Sequence, residues 1–167
     1  LPPPGVDPTY VIIAIENQLG LKYFAGAPED HIGQAMFGIE GRDRSDQPQT
    51  FGREAMTQLL NTANFPYTEF LAPYPDYKLP ISIITERGFE TKEFNPAAIA
   101  SATSKLDSQM PEHCNFSLEL AYPEVFANNL GMDMANSFLV IATQKKIDNL
   151  EKTPLAFHFS TNRLSEF

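Results

Sequence analysis

An unbroken apolar run at residues 10–15 constrains the fold more than any other feature of this chain. It reads Tyr-Val-Ile-Ile-Ala-Ile and is rich in β-branched side chains. A run of this kind is typical of a strand buried on both faces, as at the centre of a parallel sheet. A second run, at residues 138–142, is also of strand length. Both are far shorter than the ~20 apolar residues that span a bilayer, so no membrane span is predicted.

Residues 52–63 are predicted to form a helix. Met56, Leu59, Leu60 and Ala63 repeat at the spacing of one buried helical face. Thr50 is the predicted N-cap of this helix, because its hydroxyl could accept a bond from a free backbone N–H.

Two further helices are predicted in the second half of the chain. One begins at Asn95 and Pro96, since Asn suits the N-cap and Pro suits the first turn. Its predicted buried side chains are Ile99, Leu106 and Met110. The other covers residues 124–130 and ends at Gly131. Short strands are predicted at residues 67–72, 81–85 and 138–143.

Two segments lack a regular pattern. Residues 18–49 are rich in glycine and charge, and loops of that length tend to be functional lids or disordered. Within them, residues 19–24 are apolar and aromatic and are expected to pack. Residues 73–80 contain three prolines, which should exclude both a helix and a central strand.

Composition limits the partners and the compartment. The formal net charge of −9 disfavours nucleic acid, because an acidic surface repels phosphate backbones. The single Cys114 excludes an intramolecular disulfide and a zinc site of several thiolates, so a reducing, cytoplasmic location is predicted. The N-terminus lacks the basic and apolar segments of a signal peptide. Because the chain does not begin with Met, it is expected to be a fragment or a processed chain.

Polar residues that follow the first strand are candidates for chemistry. Glu16 and Asn17 end that strand, and ligands of α/β sheets gather at the carboxyl ends of strands. The alternative is that both bond the following loop. In the cluster Glu29-Asp30-His31, a histidine of ordinary pKa ~6.5 could take a proton from a substrate hydroxyl. The alternative is a turn in which Asp30 caps backbone amides. A metal site is not expected, because no second histidine lies at a suitable spacing.

A compact polar and aromatic box lies between the prolines. It consists of Tyr74, Asp76, Tyr77 and Lys78. Aromatic faces beside polar groups suit sugar binding, and prolines hold such a loop rigid at low entropic cost. The alternative is a structural wrap over the edge of the sheet.

Longer motifs carry a family resemblance. The runs IIAIENQLGLKYFAG at residues 12–26 and EDHIG at residues 29–33 resemble class I S-adenosylmethionine-dependent methyltransferase domains. These domains occur in large polysaccharide-biosynthesis proteins of bacteria and are often fused to glycosyltransferases. The same pattern continues in Thr50-Phe51, in PYPDYKLP at residues 73–80 and in NSFLVI at residues 136–141. The resemblance covers residues 10–143.

The resemblance implies the C-terminal part of a seven-stranded, Rossmann-like methyltransferase sheet, an α/β fold that lacks the first strands and carries helical insertions. Residues 11–15 would be the fifth strand, residues 67–72 the sixth, and residues 138–142 the antiparallel strand that closes the sheet. Residues 1–150 would form this partial domain. Residues 151–167 would be a linker or the start of a following domain.

The implied function is methyl transfer from S-adenosylmethionine to a saccharide during synthesis of a cell-surface polysaccharide such as lipopolysaccharide. The implied partners are a saccharide or nucleotide-sugar substrate, a second copy of the chain, or a neighbouring glycosyltransferase that places it beside the inner membrane. The implied catalytic residues are Glu29, Asp30 and His31. The implied substrate-binding residues are Glu16, Asn17, Tyr23, Tyr74, Asp76, Tyr77 and Lys78.

One departure from the family limits this expectation. The family holds the methyl donor in a Gly-rich turn after its first strand, where the backbone approaches the cofactor closely. That motif is absent from this sequence, so the chain alone is expected to be inactive. An uncovered sheet edge would then favour self-association, a partner chain or a rearranged fold. The alternative functions are a non-catalytic module that docks a glycosyltransferase and a carbohydrate-binding domain, which the box favours.

Overall fold

The computed structural model describes residues 9–42, 46–146 and 153–159, which form one five-stranded sheet with five α-helices. The strands are β1 (Tyr10–Glu16), β2 (Tyr67–Tyr74), β3 (Ser82–Thr85), β4 (Ser137–Thr143) and β5 (Ala156–His158). The helices are α1 (Leu21–Phe24), α2 (Arg53–Thr62), α3 (Glu86–Glu90), α4 (Pro96–Thr103) and α5 (Leu118–Ala127). The predicted α/β class is confirmed.

The order of strands in the sheet is β1-β4-β2-β3-β5, and all neighbours pair antiparallel. Because β4 runs antiparallel to both β1 and β2, those two strands are parallel to each other although they do not touch. Their carboxyl ends therefore lie at the same edge of the sheet. Residues 156–158 add the last strand, and the division of the chain at residue 150 stays a prediction.

The prediction of β1 as a central parallel strand buried on both faces is wrong. The strand is present, but it lies at the end of the sheet and pairs antiparallel with β4 alone. Its exposure alternates, and Tyr10 and Ile12 expose 53% and 67% of their surface. An unbroken apolar run shows that a strand has no polar face, but it cannot show whether both faces are covered.

The hydrophobic core lies on one face of the sheet. Ile13, Val140 and Phe70 stand side by side across three strands by their register. The rings of Phe70 and Phe138 meet edge to face with their centroids 5.2 Å apart. Helix α2 and helix α5 cover this face, and burial of such side chains contributes roughly 1.5–3 kcal/mol each.

Helix α2 lies where the periodicity predicts it, but its buried face is narrower. Met56 and Leu60 are buried, whereas Leu59 is half-exposed and Ala63 is exposed. A helix at the margin of a layer covers only one row of side chains at spacing i, i+4. The predicted N-cap Thr50 is also wrong, because the helix begins after Gly52 without a side-chain cap.

Helix α4 begins as predicted, with the Asn95 side chain accepting a bond from the Ala98 N–H at 3.1 Å. Its buried row differs from the prediction. The buried residues are Pro96, Ala97, Ala100 and Thr103. Leu106 is exposed, because the backbone tightens into a 3₁₀ turn at Ser104–Leu106 and the helical period changes there.

Helix α5 was predicted at residues 124–130, but it begins at Leu118 and contains Pro123. Leu118 and Tyr122 precede the proline and pack into the core. Their burial stabilises the helical turn before Pro123. Packing therefore overrides the local signal of the proline.

The strand predicted at residues 67–72 runs two residues further, to Tyr74. It continues through Pro73, which pairs with Ile83 of β3. Pairing between β2 and β4 ends at Leu71, so β2 is locally an edge at Pro73. An edge position tolerates the missing N–H of proline, which is why the chain stays extended there.

Candidate functional site

A cluster of charged side chains lies where the carboxyl ends of β1 and β2 meet. Glu16 is the last residue of β1, and Asp76 follows the end of β2 by two residues. The short helix α1 brings Lys22 between them. The sequence order of these elements therefore brings together residues that are 60 positions apart.

Lys22 is the centre of the cluster and its side chain is 0% exposed. Its ammonium lies 2.8 Å from the Asp76 carboxylate, 3.5 Å from Asp107 and 3.8 Å from Glu16. It also donates a hydrogen bond to the side-chain oxygen of Gln109. A buried cation is tolerated only with such partners, so these contacts fix the positions of three separate loops.

A second layer of polar side chains closes the cluster toward solvent. Asp30 is exposed and accepts bonds from the ammonium of Lys78 and from the side-chain amide of Gln109. Lys78 also lies 3.4 Å from the Glu16 carboxylate. Tyr77 is half-buried beside Lys78, whose ammonium lies 5.5 Å from the centre of the tyrosine ring. This rim offers acceptors, donors and an aromatic face to a ligand.

The ionisation of the rim follows from these contacts. The hydrogen bond from Lys78 lowers the pKa of Asp30, although partial burial opposes the shift. Burial lowers the pKa of Lys78, but the Asp30 hydrogen bond and the Glu16 charge outweigh it and raise that pKa. Burial, together with the Glu16 charge, raises the pKa of Tyr23. Asp30 is thus held ionised, Lys78 is held protonated and Tyr23 stays neutral at physiological pH.

The predicted catalytic trio divides into different environments. Glu29 is buried, and one of its carboxylate oxygens accepts bonds from the backbone N–H groups of His31 at 2.9 Å and Ile32 at 2.7 Å. A capped turn therefore exists, but Glu29 makes it rather than Asp30. His31 is exposed on that turn, next to Asp30. Catalytic roles for the three residues stay predictions.

Two of the predicted binding residues have structural partners. The Asn17 amide donates to the carbonyls of Asp133 and Ala135, each at 2.7 Å, and accepts a bond from the Leu19 N–H at 3.0 Å. Tyr74 is fully buried, and its ring meets that of Tyr122 edge to face at 5.8 Å. Ligand contacts by these two residues stay predictions, while their packing roles are evident.

Three residues of the cluster were not singled out from the sequence. Lys22 had a visible signal, since it is one lysine within the apolar and aromatic segment 19–24. Asp107 and Gln109 had none, because their place depends on where the chain turns after α4. The cluster therefore includes five of the predicted residues, namely Glu16, Asp30, Asp76, Tyr77 and Lys78.

A cavity adjoins the cluster. Asp107 is its shared wall, and the cavity of about 350 Å³ also contacts Met110, Phe116 and Leu118. Its size falls within the range of small-molecule sites, and its lining mixes apolar and polar groups. A ligand that binds there would contact Asp107, one of the carboxylates around Lys22.

Gly20, after the end of β1, is closely packed, because a Cβ there would lie 2.9 Å from the Asn136 Cα. Binding of S-adenosylmethionine, which the resemblance assigns to a turn after the family's first strand, stays a prediction. In residues 9–42, 46–146 and 153–159, no group of three His, Cys, Asp or Glu side chains could hold a metal ion.

Comparison with known proteins adds no family to this picture. No family model, no curated protein and no solved structure matches the chain. Within the part of the chain that the structure describes, no helix is both long and apolar enough to cross a bilayer.

Proposed function

We propose that this chain is the acceptor-binding part of an S-adenosylmethionine-dependent methyltransferase that acts on a saccharide in cell-surface polysaccharide synthesis. The observation that carries the proposal is the polar cluster at the shared carboxyl edge of β1 and β2. In α/β sheets, ligands bind outside the carboxyl ends of parallel strands. β1 and β2 are parallel to each other, and the loops that follow both strands supply the cluster.

The arrangement of strands also supports the proposal. The family resemblance implies two parallel strands and one antiparallel strand that closes the sheet. The strands at the corresponding positions are β1, β2 and β4, and β4 runs antiparallel to the other two. This agreement concerns a part of the sheet only, and it does not extend to the strands that would hold the donor.

The charge of the cluster favours a neutral sugar over a nucleotide-sugar diphosphate. Four carboxylates, from Glu16, Asp30, Asp76 and Asp107, face the two ammonium groups of Lys22 and Lys78. The excess of negative charge would repel phosphate groups. Hydroxyl groups can donate to carboxylates and accept from ammonium groups, so a saccharide fits this set.

The contribution of these residues would be recognition and orientation of the acceptor. The sulfonium donor is already activated when bound, so positioning of the acceptor would supply much of the rate. Asp30 is a poor proton acceptor, because Lys78 and Gln109 occupy its oxygens and its pKa is lowered. Among the implied catalytic residues, the exposed His31 is then the better candidate for the proton of the sugar hydroxyl.

A second candidate function is carbohydrate binding without chemistry. The observation that favours it is the filled centre of the cluster, where the Lys22 ammonium already satisfies the buried carboxylates. In this case the rim would bind a glycan, and no donor would be required.

The test is a glycan array that carries oligosaccharides of bacterial lipopolysaccharide cores and O-polysaccharides, probed with the labelled chain. We expect binding of neutral oligosaccharides and at least tenfold weaker binding by Lys78→Met, since a hydrogen bond to a charged group contributes about 1.5–3 kcal/mol. Lys92→Met is the control, because Lys92 is exposed and follows α3, which begins at the end of β3 on the opposite edge of the sheet from the cluster. No binding to any glycan would refute both candidates, and the addition of S-adenosylmethionine separates them. Methylated glycan, detected by mass spectrometry, would support the transferase.

A further inference from the structure

We propose that two copies of this chain associate through β1, which pairs antiparallel with the same strand of the second copy about a twofold axis at Ile12. This inference goes beyond the proposed function and concerns the chain by itself, since the sheet that the resemblance implies would place one of its missing strands at the same edge of β1. It rests on the hydrogen-bonding direction of β1, on the sizes of its exposed side chains and on the charges at its two ends.

Among the residues that the structure describes, no second strand pairs with the outer edge of β1, which presents backbone groups at alternate residues. The Asn17 N–H donates to the Asn136 carbonyl at 3.1 Å, so odd-numbered residues of the strand bond toward β4. The next N–H, of Gln18, points the other way and donates to the Phe51 carbonyl at 3.4 Å. Even-numbered residues therefore point their N–H and C=O groups outward. Among them, Tyr10, Ile12 and Ala14 lie beyond the reach of Phe51.

Phe51 determines the register of the pair. It forms a bridge with Asn17 at the carboxyl end of β1 and so occupies the outer edge there. A second strand can therefore pair only with the part of β1 that precedes the bridge to Phe51. An antiparallel pair centred on Ile12 uses this part, because it places Ile12 opposite Ile12 of the second copy and Tyr10 opposite Ala14.

The side chains at this edge complement themselves in that register. The large Tyr10 would lie over the small Ala14, and the two Ile12 side chains, 67% exposed in one copy, would cover each other. Cross-strand pairs of this kind contribute to sheet stability. Residues 10–15 carry no charge, although charged residues are the usual protection of an edge strand against pairing.

The charges at the two ends of the strand favour the antiparallel direction. The carboxyl end of β1 carries Glu16 and the carboxylate-rich cluster. At the other end, Tyr10 pairs with Thr143, and the chain continues from there to the exposed Lys145 and Lys146. An antiparallel pair brings the acidic end of one copy toward the basic end of the other. A parallel pair would place like ends together.

The test begins with the mass of the full chain in solution, measured by light scattering across a dilution series. We expect a species of twice the 18.6 kDa chain mass that dissociates on dilution. Ile12→Lys should give a monomer, since it places two like charges opposite each other. Leu120→Lys is the control, because Leu120 is 77% exposed on α5 and should leave the dimer intact.

A cysteine variant tests the register and remains informative if Ile12→Lys fails to fold. In a Cys114→Ser background, Ile12→Cys should form a disulfide-linked dimer under mild oxidation, because facing residues have Cα atoms about 5.5 Å apart. Tyr10→Cys in the same background should not, since its two copies would be about 13 Å apart at ~3.3 Å per residue. A chain that is monomeric at every concentration, or a dimer that Ile12→Lys leaves intact, would overturn the proposal.

Discussion

Replacement of Lys22 by methionine is the sharpest perturbation of the candidate site. The substitution keeps the approximate length of the side chain and removes its charge. The ammonium is fully buried and lies within 3.8 Å of the carboxylates of Asp76, Asp107 and Glu16. Without it, three carboxylates that are almost fully buried face one another without their cation.

The expected loss of stability is large. Removal of one partner of a buried ion pair typically costs about 3–5 kcal/mol, because the other charge stays buried and uncompensated. Domains have a free energy of unfolding of about 5–15 kcal/mol, so the variant should lose a substantial share of it. With a shift of about 2–4 °C per kcal/mol for a chain of this size, the melting temperature should fall by about 6–20 °C.

The assay is urea unfolding followed by circular dichroism near neutral pH. Lys105→Met should change stability by less than about 1 kcal/mol, since its ion pair is mostly exposed. A Lys22→Met variant as stable as the Lys105→Met control would refute the reasoning.

Three other variants test separate parts of the account. Asp30→Asn should lower stability slightly near neutral pH, because the folded protein lowers the pKa of Asp30 and this stabilises the fold. The contribution is fully present above the pKa of Asp30 in the unfolded chain and is lost as the pH falls through the lowered pKa of the folded state. Unfolding curves at several pH values would show this loss. Gly20→Ala should lower the free energy of unfolding by about 1–3 kcal/mol through overpacking. Gly52→Ala should be tolerated, because the added Cβ meets only the flexible side chain of Leu19 at 3.5 Å. Thermal melts compare the two variants. Asn17→Ala should destabilise the fold by several kcal/mol through its three lost hydrogen bonds, and Asn128→Ala, with one exposed bond, should not; chemical denaturation measures both.

Local signals in the sequence predict which segments form strands and helices. They predict less well which strands lie side by side in the sheet. The apolar run at residues 10–15 correctly predicts a strand, and the Asn95-Pro96 pair correctly predicts the start of a helix. The sequence does not predict that β1 lies at the end of the sheet, because that depends on which distant segment covers it. The end of β2 was predicted two residues too early for the same reason, since only the end of the β4 pairing at Leu71 makes the position of Pro73 an edge.

In the candidate site, too, residues with a local signal in the sequence were predicted, and residues placed by distant parts of the chain were missed. Glu16 was predicted because it ends a strand, and Asp76 because it lies in the polar and aromatic box between the prolines. The residue that joins them, Lys22, is the exception and was missed, although a single lysine within the apolar and aromatic segment 19–24 was a visible signal. Asp107 and Gln109 reach the cluster through the turn that ends α4, where the change from α to 3₁₀ geometry alters their direction.

The most direct test of the central claim is a nuclear magnetic resonance titration of the ¹⁵N-labelled chain with the neutral oligosaccharide that binds best on the array. The account predicts that the amide signals that shift are those of the rim and the adjoining cavity, at residues 29–33, 76–78 and 107–118. Shifts confined to another part of the sheet, or none at saturating oligosaccharide, would contradict the claim that the carboxyl edge of β1 and β2 binds the acceptor.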